Sequence, residues 1–139
     1  MAYGPESHAE GSGGGTSLNP SSASEALDYW KTYKFSMSYG GSSHVEGSDN
    51  LALGQHSHVG GRSSYNRTYD GFSHGYMLSG GTADSQYLQT VFGRRNAPFA
   101  GTTNDYNSSD GTLFIIGNGT SSAYTNAFRV TTAGQVMGS

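Results

Sequence analysis

Asn50-Leu51-Ala52-Leu53-Gly54 alternates apolar or small positions with polar ones; a bend at Gln55-His56 follows, then Ser57-His58-Val59-Gly60-Gly61 repeats the alternation. A period of two in runs this short, each closed by glycine, predicts two short strands joined by tight turns. A second, less regular unit follows through Tyr65, Tyr69 and Gly71-Phe72-Ser73-His74-Gly75. Residues 87–93, 113–116, 127–131 and 135–137 read as further strands, with an emphatic turn at Gly117-Asn118-Gly119 after the second of these. Residues 18–39 break the alternation. There Ser24 is placed to cap a short helix over about residues 25–33, with Glu25 and Asp28 in its first turn and Lys31 and Lys34 near its end.

One five-residue phrase recurs through this pattern: Ser7-His8-Ala9-Glu10-Gly11, Ser43-His44-Val45-Glu46-Gly47, Ser57-His58-Val59-Gly60-Gly61 and a worn copy, Ser73-His74-Gly75-Tyr76. The last three copies start at positions 43, 57 and 73, intervals of fourteen and then sixteen. Such an interval is too short for a helical repeat and suits one coil of two strands and two turns. The two extra positions before Ser73 would leave the coil as a bulge. His8, His44, His58 and His74, at one repeat position, would form a ladder along the stack. The stretch from Ser7 to Ser43 is not two ordinary coils, because the aromatic insertion at 18–39 lies within it.

Composition sharpens this picture. Only 33% of the 139 residues are apolar, and glycine and serine number 22 each, so a self-sufficient monomeric core is thin. Disorder would call for high net charge and few aromatics, whereas the net charge is -3 and the chain holds 10 Tyr, 6 Phe and 1 Trp. An ordered oligomer, burying apolar residues against copies of itself, is the expectation. Seven basic against ten acidic residues provide no stripe for a phosphate backbone, so nucleic acid is not an expected partner. There is no cysteine, and no apolar run approaches the roughly 20 residues that span a bilayer. The N-terminus lacks the charged and apolar regions of a signal peptide and enters the repeat almost at once, as an excised piece of a longer chain would.

Chemistry is concentrated in two places. Tyr29, Trp30, Tyr33, Phe35 and Tyr39 either form a small satellite core, or pack on a neighbouring subunit, or present aromatic faces to a ligand such as a sugar. His56 and His58 would share one face if locally extended, and in a trimer would offer six imidazole nitrogens to a metal. Because His58 also belongs to the repeat, a ladder role competes with this, and no metal or other cofactor is expected. Glu6, Glu10, Glu46, Asp49, Asp70, Asp84, Asp105 and Asp110 are numerous enough for a carboxylate pair, but no spacing selects one. No nucleophile elbow, phosphate loop or zinc motif is present, and Arg94-Arg95 reads as a solvated loop or inter-subunit ion pairs.

With these residues in view, the stretch from Asn50 to Gly61 resembles the head repeat of YadA-type trimeric adhesins. The chain more closely resembles bacteriophage tail-fibre and appendage proteins that carry Ser-His-Ala-Glu-Gly repeats ahead of a self-cleaving C-terminal chaperone domain. Leu113-Phe114-Ile115-Ile116-Gly117-Asn118-Gly119-Thr120 and Asn126-Ala127-Phe128-Arg129-Val130, with Gly134 and Val136, match that group as well. The resemblance covers roughly residues 1–14 and 40–139; the chaperone domain does not follow within this chain, so Ser139 is either a cleavage terminus or an arbitrary boundary. It implies an all-β homotrimeric fibre: a parallel β-roll over residues 1–80 carrying the insertion, and a β-rich C-terminal stem over 81–139. The implied work is non-enzymatic, a structural and receptor-binding segment of an extracellular virion tail. Its implied partners are host cell-surface polysaccharide and other tail proteins, without membrane insertion. A cell-anchored trimeric adhesin head and a polysaccharide depolymerase are the alternatives.

Overall fold

The computed structural model describes residues 1–9, 20–83, 86–101 and 111–138. Among them one helix, α1 (Ala23–Tyr33), accompanies twelve short strands. Four strands, β2 (Met37–Ser38), β4 (Leu51–Ala52), β6 (Tyr65–Asn66) and β8 (Ser79–Gly80), pair in parallel in that order as one sheet. Opposite them β1 (His8–Ala9), β3 (His44–Val45), β5 (His58–Arg62), β7 (Phe72–Tyr76), β9 (Thr90–Arg94) and β10 (Thr112–Asn118) stack in parallel. The chain alternates between the two sheets, so it is mostly β and forms a solenoid of about four coils. The second sheet then continues antiparallel through β11 (Asn126–Thr131) and β12 (Val136–Gly138).

The register advances by fourteen positions where Met37 faces Leu51, Leu51 faces Tyr65 and Tyr65 faces Ser79, and where His44 faces His58 and His58 faces Phe72; the next step, from Phe72 to Thr90, is eighteen. Left-handed backbone marks the two corners of each coil. One corner column is Ser42, His56, Asp70 and Leu88, and the other is Asp49, Ser63, Met77 and Arg95, all at positive φ. Each such residue costs on the order of 1 kcal/mol. The cost is offset because the corner amides stay in the ladder: Ser42 N–H donates to Pro5 O, His56 N–H to Gly41 O and Asp70 N–H to Gln55 O.

Each position of the repeated phrase has its own place in the coil. Its serine is buried at Ser43 and Ser57, and the Ser57 hydroxyl donates to the carbonyl of Gly54 in the preceding turn, closing the corner. Its histidine points out of the second sheet. The next residue points in, so Val45, Val59, Ser73, Val91 and Ile115 form a buried column. The closing glycine falls in a column of Gly47, Gly61, Gly75, Gly93 and Gly117, where a Cβ on Gly47 or Gly61 would collide with the carbonyl oxygen of the glycine in the next coil.

The worn fourth copy is not in phase with the others. Similarity of the Ser-His pair implied a coil lengthened by two positions, but Phe72 faces His58, Ser73 faces Val59 and His74 faces Gly60, so the coil keeps the common length. Corner residues Asp70 and Met77 and the match of Gly61 with Gly75 hold the backbone in phase, and the similar side chains fall two positions away. The same logic moves the expected C-terminal turn. Gly117 and Asn118 pair with Gly93 and Arg94, so β10 runs through Asn118, and the chain reverses only where Thr120 N–H donates to Ala123 O.

His8 and His44 are register partners in adjacent coils although their separation along the chain far exceeds one coil. The surplus leaves between β1 and β2, and its described part folds as α1 on the outer face of the first sheet. Ser22 is the N-cap, its Oγ accepting from Glu25 N–H at 3.1 Å, rather than Ser24, because Glu25 also reaches back to accept from Ser21 N–H at 2.7 Å. Ala26, Leu27 and Trp30 of the helix pack on Met37, Leu51 and Leu53, so the first sheet is covered on both faces. The coil interior holds two smaller apolar clusters, Val45–Ala52–Val59 and Leu78–Val91–Ile115.

Candidate functional site

The five aromatic residues of the insertion region do not form one surface. Trp30 is 4% exposed and Phe35 3%. Trp30 Nε1–H donates to Asp49 O at 2.8 Å, its ring meets the edge of Tyr65 and the Lys34 ammonium lies 3.7 Å above it, where burial lowers the lysine pKa. Those two side chains therefore form the satellite core. Tyr29 is half-buried and its hydroxyl donates to Glu25 Oε1 at 2.6 Å, which raises the tyrosine pKa. Tyr33 is 55% exposed.

Tyr39 goes elsewhere, because Met37 and Ser38 have already rejoined the coil. Its ring stacks on Tyr3 at 5.2 Å with planes 4° apart. Together with Tyr69, Gln55 and Arg67, and with Ala23 of the helix at one wall, these rings line an open cleft of about 320 Å³. Aromatic faces flanked by an amide and a guanidinium suit a polyhydroxylated ligand. Tyr3, Gln55, Arg67 and Tyr69 are not legible as a group in the sequence, since they come from different coils. One signal points to part of it: Tyr3 and Tyr39 are separated along the chain by the same interval as His8 and His44.

On the other face a continuous ring ladder runs along the second sheet. His8 stacks on His44 at 4.9 Å, His44 on His58 at 4.7 Å and His58 on Phe72 at 4.8 Å. Phe92, Phe114 and Phe128 continue it at 5.5, 6.0 and 6.1 Å. The expected ladder of four histidines is thus three histidines and four phenylalanines. Phe92 and Ile116 are 38% and 37% exposed, and Val136 on the last strand 64%.

His56 and His58 do not share a face. His56 is a corner residue at φ +54°, so the extended backbone that would align the two rings is absent, and its Nδ1 lies 3.1 Å from Asp70 Oδ1. His58 instead points toward Glu46, with Nε2 3.4 Å from Oε1, and His74 Nδ1 lies 3.7 Å from the same oxygen. Among the acidic residues considered for catalysis, Glu6 accepts from the Ser42 hydroxyl and Asp49 from that of Ser48. Glu10, Asp84, Asp105 and Asp110 lie outside the described residues. Arg95, read as loop or inter-subunit, extends over the rings of Tyr76 and Tyr124 within its own chain, and with Arg62 it lowers the Tyr76 pKa. No protein-family model, curated protein or solved structure matches the chain.

Proposed function

We propose that this chain is a structural and receptor-binding segment of a phage tail fibre or spike, assembled as a homotrimer on the outside of the virion. The exposed ring ladder carries this reading. It runs along the second sheet as far as Phe128, leaves Phe92 partly exposed together with Ile116 and Val136 of the neighbouring strands, and recurs from coil to coil, so an identical ladder on another copy has matching contacts. Each such ring pair contributes about 0.5–1.5 kcal/mol beyond simple area burial. The small interior clusters leave a need for this further burial. Light scattering of the purified chain at micromolar concentration should report three chains per particle, and F92D combined with I116D should release them. A folded monomer of the unmodified chain would sink the assembly.

The receptor-binding part rests on the cleft between Tyr3, Tyr39 and Tyr69 and on the neighbouring insertion, where Tyr33 is the exposed aromatic. Three identical clefts on one trimer would hold repeated host-surface glycans multivalently, each weakly and the set strongly. Tyr39→Ala should abolish adsorption to host cells or glycan while leaving the particle mass unchanged; undiminished adsorption removes the cleft from the proposal. The activity is binding without catalysis. New reducing ends released from a host-wall polymer incubated with the assembly would overturn that.

A further inference from the structure

We propose that His44, Glu46 and His58, with His74 beside Glu46, form a site for a divalent first-row transition-metal ion of the zinc type. His44 and His58 are register partners in adjacent coils and point outward; Glu46 is two residues beyond His44 and shares that face. One ligand atom from each of these three residues lies within 4.8 Å of the other two. His74 arrives from the next coil, its Nδ1 3.7 Å from Glu46 Oε1.

The approach of His74 to Glu46 has a specific cause. Gly60 occupies the coil between them, in register with His74. Strands in adjacent coils are about 4.8 Å apart, so backbones two coils apart are separated by about 9.6 Å, and any side chain at the middle position would divide the two groups. A Cβ on Gly60 would stand 2.5 Å from His74 Nδ1 and 3.0 Å from Glu46 Oε1. The repeat places a glutamate at positions 10 and 46, and the glycine that replaces it at position 60 clears the space in which the imidazole and carboxylate meet.

The separations also suit an ion. A charge-assisted hydrogen bond contracts to about 2.7–2.9 Å. His58 Nε2 and His74 Nδ1 instead stand 3.4 and 3.7 Å from the carboxylate oxygen. Donors held tetrahedrally at about 2.0–2.1 Å from a zinc ion lie about 3.3 Å from one another, so the three ligand atoms, now within 4.8 Å, would draw together on binding. Imidazole nitrogens with one carboxylate oxygen form a donor set that favours zinc, nickel or copper over magnesium or calcium, which take oxygen. The His44 and His58 rings are stacked at 4.7 Å with planes 16° apart, so their in-plane lone pairs run side by side and one ring turns out of the ladder to meet an ion held by the other. All three donors belong to one chain, so the site needs no residue of another copy, although His44 and His58 also lie in the ring ladder assigned to the trimer contact.

The test is calorimetric titration of the full chain with zinc chloride at neutral pH, magnesium chloride as the comparison, and native mass spectrometry for stoichiometry. One zinc per chain at micromolar affinity is expected, weakened at least tenfold by Glu46→Gln and by His58→Gln and unchanged by His56→Gln. Zinc that fails to bind at millimolar concentration, or binds both variants as tightly as the unmodified chain, overturns the proposal. If a variant does not fold, X-ray absorption of the zinc-loaded unmodified chain decides. Imidazole scattering with a mixed shell of nitrogen and oxygen at the distances expected for zinc supports the site, and a shell of water oxygens alone overturns it.

Discussion

Phe72 takes the place that the repeat assigns to a histidine: its backbone pairs with His58 and its ring stacks on the His58 imidazole at 4.8 Å. From this point the outer ladder changes from imidazole to phenyl. His74, two residues along the same strand and on the same face, thereby stands beside the main column of the stack and turns toward Glu46. A single step in phase thus separates an apolar half of the sheet face from a half that gathers imidazoles and a carboxylate.

The glycine column should tolerate almost no substitution. Gly61 has φ +90° and faces the carbonyl of Gly75, so Gly61→Val combines backbone strain with a clash against an immobile atom and should prevent a native solenoid from forming. Gly134 has φ +77° but nothing within 4 Å of the added carbon. Gly134→Ala should therefore cost only the strain, about 1 kcal/mol, measured by denaturant unfolding.

Trp30→Ala removes a buried ring and strands the Asp49 carbonyl that its indole serves. A loss of about 3–5 kcal/mol is expected from equilibrium unfolding. Tyr33→Ala, on the exposed side of the same helix, should change stability by less than about 0.5 kcal/mol.

Asn96 ends the first sheet by acting as a missing strand. Its buried side chain accepts from Ser79 N–H at 2.8 Å and donates to Ser79 O at 2.9 Å. Asn96→Leu leaves both backbone groups without these partners and should cost about 2–4 kcal/mol, with hydrogen exchange at Ser79 accelerated relative to β5.

Hydrogen bonds from Tyr29 and then Ser21 hold Glu25 down from the usual 4.5 to about 2. The folded pKa is the depressed one, so this carboxylate supports the helix start above about pH 4.5, and the support is lost as pH falls toward 2. Thermal melts of Glu25→Gln and the unmodified chain should differ at pH 6 and converge near pH 2. A constant difference across that range would place the effect in something other than ionisation.

The coil is legible in the sequence because its physics is local. Asn50 to Gly61 shows the alternation, the glycines and the bend, and β4 and β5 form there. The helix in the insertion is legible for the same reason, although the cap moves from Ser24 to Ser22 because Glu25 can bond back only to the preceding turn. The placement of Trp30 is not, since five aromatics close together in the chain carry no information about which of them faces a sheet.

Residue order alone therefore dictates the fourteen-position step from Ser43 to Ser57, the small inward residues and the glycines that let coils approach, all of which act within one coil or between neighbours. Phase and company are set by packing in three dimensions. Backbone left-handedness at Asp70 and Met77 outweighs the likeness of Ser73-His74 to Ser57-His58, because shifting a parallel coil by two positions would break its whole ladder whereas moving one imidazole breaks little. The meeting of Glu46 with His58 and His74, which lie one and two coils further along the chain, exists only once the coils are stacked.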